Sequence, residues 1–342
     1  MKATINEVAK QAGVSIKTVS RVMNQEASVR QSTRDKVLSV VNQLNYQPSP
    51  AARNLASTKA YNVAFVYDNP NAYYVIDLQE GILKACREQG FELLINPCDS
   101  QQPDITKNVI NMVKQAKISG LVLTPPFSEM PDFVKCFNDL NVDVVRIMSG
   151  EEVPDDLSPC IMVNDRIAAQ HITQHLIDQG HKEIAFIAGD AEHRSTIERY
   201  KGYRLTLKEN NIPFSKDLVI QAKYDFESGV DGAKQLMNNA LNKPTAIFSC
   251  NDEIAAGALF AARLMNIKIP EELAIAGFEN SPFSRQTWPK LTTADQPNKL
   301  IAEDAANILI GQIRKQKNAL LSKEYTPKLI VRESSHLTAQ KT

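Results

Sequence analysis

Residues 4–24 read Thr4-Ile5-Asn6-Glu7-Val8-Ala9-Lys10-Gln11-Ala12-Gly13-Val14-Ser15-Ile16-Lys17-Thr18-Val19-Ser20-Arg21-Val22-Met23-Asn24. Thr4 three residues ahead of Glu7 makes a capping box, in which each side chain satisfies the other's backbone N–H. It predicts a helix from Ile5 to about Gln11 with Ile5, Val8 and Ala9 as its apolar face. Gly13 suits the left-handed residue that closes such a helix. Ser15 offers a second N-cap, so another helix runs from Ile16 to about Met23. Helix, short turn with glycine, helix is a helix-turn-helix. A third helix is predicted from Ser32-Thr33-Arg34-Asp35, a cap followed by an acid, with Val37, Leu38, Val41 and Leu44 at helical spacing.

The second helix divides into two faces. Val19, Val22 and Met23 lie together and seal a small core. Ile16, Lys17, Ser20 and Arg21 form the opposite face, the one that a groove-docked helix-turn-helix presents to base edges. Arg21 and Lys17 suit guanine O6 and N7, and Ile16 suits a thymine methyl. Thr18 and Asn24 are better placed for phosphate. Downstream, the Pro48-Ser49-Pro50 run ends the third helix. The following Ala51-Ala52-Arg53-Asn54-Leu55-Ala56 is helix-compatible but too short to hold a helix alone in water. It reads as a hinge that folds on DNA, with Arg53 toward the minor groove or phosphates and Leu55 as an apolar wedge between base steps.

The charge distribution agrees. Lys plus Arg and Asp plus Glu number 39 each, for a net charge of zero over 342 residues. Residues 1–59 hold nine basic and three acidic side chains, +6; the rest hold 30 and 36, −6. A basic module that meets a polyanion is joined to an acidic body. No apolar run approaches the roughly 20 residues of a membrane span. No secretory signal is read at the N-terminus, and five scattered cysteines without a CxxC pair predict reduced thiols in a cytoplasmic protein.

Beyond residue 60 short apolar runs alternate with helical patterns. Strands are predicted at 62–67, 92–96, 120–124 and 143–148, then at 161–163, 184–188, 218–222, 245–249 and 273–278. Helices are predicted between them. Such alternation gives right-handed βαβ units and parallel sheets, here two doubly wound lobes with a ligand cleft at the strand carboxyl ends. The fold class is α/β: a helix-turn-helix headpiece (1–47), a hinge and linker (48–60), and a two-lobed core (61–342). Lobe one is expected at about 61–160 and 292–320, lobe two at about 161–291 and 321–342.

The run Asn6-Glu7-Val8-Ala9, Ala12-Gly13-Val14-Ser15 and Thr18-Val19-Ser20-Arg21-Val22-Met23-Asn24 resembles the DNA-binding signature of the LacI/GalR family of bacterial repressors. So do Leu44-Asn45-Tyr46-Gln47-Pro48 and Ala52-Arg53-Asn54-Leu55. Further matches are Ala72-Tyr73-Tyr74, the run from Gly180 to Gly189, Arg199-Tyr200-Lys201-Gly202-Tyr203, Ser249-Cys250-Asn251-Asp252-Glu253, Ala276-Gly277-Phe278-Glu279 and Leu291-Thr292-Thr293. The resemblance thus covers nearly the whole chain and implies a periplasmic-binding-protein-like core that binds an effector. It implies DNA contacts from Thr4, Ser15, Ile16, Lys17, Thr18, Ser20, Arg21, Asn24, Arg53 and Leu55, with Ile16-Lys17 as the recognition pair. Carried over residue by residue, it implies effector contacts from Tyr73, Tyr74, Ser195, Arg199, Tyr224, Asp252 and Glu279, with Arg146 and His193 at strand and loop ends. Tyrosine faces stack on a pyranose, while Arg199 and Asp252 bond paired hydroxyls. One departure is Glu279-Asn280, where the family often has two acids.

The expected protein is therefore a homodimeric, sequence-specific repressor on a pseudo-palindromic operator, controlled by a carbohydrate-like effector, with no cofactor, metal or membrane partner. The tail 332–342 shows no leucine heptads for a tetramer. No GxSxG, GxGxxG or GxxxxGK[ST] motif points to an enzyme, and His171 with His175 lack a third metal ligand. A transport-type sugar-binding protein shares the core but not the basic headpiece.

Overall fold

The computed structural model describes residues 3–23, 29–46, 61–69, 71–150, 153–239, 243–316 and 322–336. The chain divides into two compact units, Met1–Tyr61 and Asn62–Thr342.

In the first unit, α1 (Ile5–Ala12) starts at the Thr4–Glu7 capping box. The Thr4 N–H donates to Glu7 Oε2 at 2.7 Å, and the Glu7 N–H donates to Thr4 Oγ1 at 3.4 Å. Gly13 closes α1 with φ +62°, a left-handed conformation that favours glycine. The Ser15 hydroxyl accepts from the Thr18 N–H at 3.1 Å and caps α2 (Ile16–Met23). The third helix, α3, spans Gln31–Gln43 and opens without a side-chain cap. This differs from the expected start at Ser32, because Asp35 accepts from the Gln31 side chain at 2.8 Å instead of turning back to a cap. Val8, Ala9, Ala12, Val19, Val22, Val37, Val40 and Val41 form the core. Val40, not Leu38, faces inward; Leu38 is exposed.

The second unit begins with β1 (Asn62–Tyr67), α4 (Ala72–Gln89), β2 (Glu92–Pro97), α5 (Ile105–Gln115), β3 (Gly120–Leu123), α6 (Pro131–Asn138), β4 (Asp143–Ser149) and β5 (Cys160–Val163). There follow α7 (Asp165–Asp178), β6 (Ile184–Ile187), α8 (Arg194–Glu209), β7 (Val219–Ile220), α9 (Phe226–Met237), β8 (Ala246–Ser249), α10 (Asp252–Leu264), β9 (Ala274–Ala276) and α11 (Pro282–Gln286). The chain ends through β10 (Thr293–Asp295), α12 (Asn298–Ile313), β11 (Ser322–Tyr325) and β12 (Lys328–Ile330). Lobe one holds a parallel sheet ordered β11-β5-β4-β3-β1-β2, and lobe two a parallel sheet ordered β7-β6-β8-β9. In each, the order reverses next to the first strand. This opens a crevice at the carboxyl ends of β1 and β3 and of β6 and β8.

Two boundaries differ from the sequence expectation. β5 and β11 belong to the lobe-one sheet, paired with each other and, through β5, with β4. The sequence suggested lobe two because α7, which follows β5 directly, packs there on α8. The chain therefore crosses between lobes after Val163, after Asp295 and after Tyr325. These crossings lie side by side: the Asn164 N–H donates to Tyr325 O at 2.8 Å, and Asp295 pairs with Lys328. Helix α12 was not anticipated. It packs on α4, β3, β4 and β5 at once and buries residues almost all round, which erases its amphipathic period. It approaches α4 so closely that a side chain on Gly81 would meet Lys299 O at 2.2 Å.

Candidate DNA-reading face and effector cleft

Within the first unit, the α2 face opposite the valine core carries Ile16, Lys17 and Arg21, all exposed, and Ser20, half-buried. Ile16 keeps 49% of its surface in water, an apolar side chain at the start of a helix whose buried face needs only Val19 and Val22. Ser15 and Thr18 sit at the α2 N-terminus with their hydroxyls 2.9 Å apart, and Thr4 stands exposed at the start of α1. Anions are favoured at helix N-termini, where backbone N–H groups point outward. Asn24, Arg53 and Leu55 lie outside the described residues, as does the hinge at 48–60.

In the second unit, loops after the strands of both lobes meet around a cavity of about 50 Å³. Its wall includes Asn69, Asn71 and Tyr74 after β1, Ser149 at the end of β4, and Asp165 opening α7. Lobe two supplies His193, Ser195, Arg199, Tyr224 and Glu279. Arg199 is the centre. Its Nε donates to Asp165 Oδ1 at 2.7 Å and its Nη1 to Cys250 O at 2.6 Å, with Glu279 Oε1 at 3.7 Å. Its guanidinium plane lies 3.7 Å over the Phe278 ring. Burial works against the Arg199 charge, but Asp165 and its neighbours outweigh it and hold the group protonated.

Contacts between lobes close this cleft. The Asn71 amide donates to Glu279 Oε2 at 2.7 Å, and the Ser149 hydroxyl donates to Asp165 Oδ2 at 2.6 Å. Burial pushes the Glu279 carboxyl up to about 8, with Arg199 and Asn71 pulling the other way. Glu279 itself has φ +100°, a strained position for a residue with a side chain, and that turn aims its carboxylate into the cleft. Tyr224 hydrogen-bonds through its hydroxyl with Thr196 (2.6 Å) and Ser195 (3.2 Å). It packs so close to Gly189 that a Cβ there would fall 2.4 Å from the ring. Burial lowers the His193 imidazole, so it is neutral at neutral pH.

The structure thus brings together Tyr74, His193, Ser195, Arg199, Tyr224 and Glu279 of the expected effector residues. It sets three apart. Tyr73 turns its ring edge onto Phe283, 5.6 Å away, and is 38% exposed. Arg146 is fully buried in β4 and forks onto Asp155 (2.5 and 3.1 Å) and Ser158 (2.8 Å), so its donors tie down the 155–158 loop. Asp252 is fully buried: it accepts from Thr293 Oγ1 at 2.6 Å and from the Ser281 N–H at 2.7 Å, and so holds the turn that carries Glu279. The cap of α10 is Asn251, not Asp252. Asn280 bonds Asp295 and Arg332 rather than the cavity. Sequence reasoning missed Asn71, Ser149 and Asp165. Asn71 caps α4 and Asp165 is an acid in the first turn of α7, and a polar residue at either place gives no sign of the cleft.

Comparison with known proteins defines the class. Residues 4–49 match the profile of bacterial regulatory proteins of the lacI family, and residues 173–335 that of the periplasmic binding protein-like domain. The chain is 32% identical over 336 residues to the HTH-type transcriptional regulator DegA of Bacillus subtilis, covering 98% of each. It is 33% identical over 337 residues to the HTH-type transcriptional repressor PurR of Actinobacillus pleuropneumoniae serotype 3, covering 97% of this chain and 98% of that one. Two solved structures share the fold. The lac repressor dimer bound to operator and an anti-inducer has a TM-score of 0.74 at 23% identity over 98% of this chain and 99% of that one. The complex of the transcriptional regulator CelR with cellobiose has a TM-score of 0.73 at 24% identity over 97% and 100%. The chain belongs to the LacI family of bacterial regulatory proteins and is a DNA-binding regulator of transcription; its relatives are regulators rather than enzymes.

Proposed function

We propose that this regulator is a cytoplasmic homodimeric repressor that binds a pseudo-palindromic operator and is controlled by a sugar or sugar-like effector held between the lobes. The observation that carries the effector reading is the buried Asp165–Arg199–Glu279 constellation, clasped from lobe one by Asn71 and Ser149. The Asp165 carboxylate, the Arg199 guanidinium and the Glu279 carboxyl alternating in a dry cleft match the paired donors and acceptors of vicinal hydroxyls, and Tyr74 and Tyr224 supply aromatic surface. The cellobiose complex of CelR supports a carbohydrate. Asp252 acts here by holding the Glu279 turn. The exposed Ile76, Leu94 and Ile95 of lobe one support self-association through that lobe. No helix among the described residues is long and apolar enough to cross a membrane.

On DNA, Ile16, Lys17, Ser20 and Arg21 read bases, while Thr4, Ser15 and Thr18 meet phosphates and the Arg53–Leu55 hinge enters the minor groove. Effector binding shifts the balance between lobe arrangements by its differential affinity for them. The test is selection from a random duplex library, followed by binding with a sugar panel. A two-fold-symmetric site whose occupancy changes with one sugar is expected. Arg21→Ala should lose about 1–3 kcal/mol of discrimination against a mismatched site; uniform weakening on all DNA would remove Arg21 from the base-reading set.

A further inference from the structure

Next to the cavity around Arg199, and sharing His193 and Tyr224 with it, lies a wider chamber of about 670 Å³. Its wall carries Asp68, Asp190, Glu192 and Asp225, and among the described residues Lys223 is its one lysine or arginine. With Asp165 inside, five acids among the described residues face the ligand's path against the two cations Arg199 and Lys223, while Glu279, raised to about 8 by burial, keeps its proton at neutral pH.

We propose that the acids Asp68, Asp190, Glu192 and Asp225 select for uncharged polyhydroxyl effectors and exclude their phosphorylated forms. This rests on the cleft being the effector site. A phosphate in such a cleft needs a cation or free N–H donors. The Arg199 guanidinium has Nε and Nη1 committed to Asp165 and Cys250 O, with Glu279 beside it. The α8 N-terminus is the natural anion site and carries no side-chain cap, but it opens at His193 on the wall of the acidic chamber, so an anion approaching it meets Asp190 and Glu192. The α7 N-terminus is capped by Asn164 and carries the acid Asp165 in its first turn, and the α4 N-terminus is capped by Asn71. Lys223 stands next in sequence to Tyr224 and faces the chamber together with Asp190, Glu192 and Asp225. A phosphate dianion moving along this path meets carboxylates on both lobes: Asp68 follows β1 in lobe one, and Asp190, Glu192 and Asp225 belong to lobe two. Fields of one sign are focused in a cleft with low-dielectric walls, so the exclusion is felt within the screening length of about 8–10 Å at physiological salt.

Two measurements on the full-length protein test this. The first needs no effector. Ala191→Cys puts a thiol on the exposed rim of the chamber. Its rates with a cationic and an anionic methanethiosulfonate are compared with those of a small free thiol, after subtracting the reaction of the unaltered protein. The cationic reagent is expected to be favoured at least about tenfold, falling toward parity in 1 M salt and in the Asp190→Asn/Glu192→Gln/Asp225→Asn background. Parity at low salt overturns the proposal. The second is calorimetry with matched pairs: glucose, N-acetylglucosamine and adenosine, each against its monophosphate. For any pair that binds, the neutral member is expected to bind at least tenfold tighter, and equal or tighter binding of the phosphate overturns the proposal. A biased thiol rate with no sugar bound would fault the sugar reading and leave the charge filter standing.

Discussion

The two units solve opposite problems with the same kind of side chains. In the headpiece, Lys17 and Arg21 are held at the surface by a core of small valines and alanines. In the effector core, Arg199 and Asp165 are almost fully buried and bond each other. An exposed cation keeps its hydration, so placing it costs the fold little, and its charge strengthens binding when a polyanion arrives. A buried pair is costly to desolvate and becomes a liability when one partner is removed. The headpiece is therefore tolerant of substitutions on its reading face and intolerant in its core, whereas the effector core is intolerant at its functional centre.

The strongest way to break this contrast is Arg199→Ala. It leaves Asp165 without its cation in a dry site, so the effector core should lose about 3–5 kcal/mol, read as a fall in its melting transition. Headpiece affinity for nonspecific DNA should hardly move; an unaltered melting temperature would show that the cleft is better hydrated than its burial indicates. Next comes Val19→Ala, which opens a gap in the small core of the headpiece. A loss of roughly 2 kcal/mol is a large share of what a unit of this size possesses. DNA binding should fail at moderate temperature while effector binding persists, measured by band shift and calorimetry on the same preparation.

The pH response sharpens the comparison further. Burial raises Glu279 to about 8 and Asp252 and Glu129 to about 7. Carboxyls raised in the folded state keep their protons there after the unfolded chain has lost them. Their stabilisation is complete below about pH 4.5 and is lost as pH rises toward 8. The slope is on the order of 1.4 kcal/mol per pH unit for each such group. The effector core should melt progressively lower from pH 5 to 8, and Glu279→Gln should flatten part of that decline; a rising melting temperature would contradict the burial of these acids. The smallest effect is Thr4→Ala, which removes the α1 cap at a cost of about 1 kcal/mol, visible as a shift in headpiece melting alone.

The same contrast explains what could be read from residues in order. The reading face sits on one turn and a half of one helix, and cap, glycine and valine spacing are local signals, so α1 and α2 were legible nearly to the residue. The cleft is assembled from Asn71, Ser149, Asp165, Arg199 and Glu279, which share no local pattern. Resemblance to a family supplied Arg199 and Glu279. It also suggested Asp252 and Arg146, whose charges turn out to be consumed inside the scaffold by Thr293, Ser281 and Asp155. Asp165 and Asn71 were missed because a polar residue at a helix start already has a sufficient local reason to be there. Helix α12 was missed because burial on several sides leaves no stripe to detect.

The three adjacent crossings have a mechanical consequence. One tether would let the lobes swivel freely, and two would let them twist; three set side by side act as the knuckles of a door hinge. They suppress sliding and torsion and leave one easy rotation, about an axis running along Asn164, Tyr325 and Asp295. A small molecule that grips Asn71 on one leaf and Glu279 on the other therefore works close to the knuckles, because the Glu279 backbone pairs with Asp295, and a small displacement there becomes a larger one at the outer edges of the lobes.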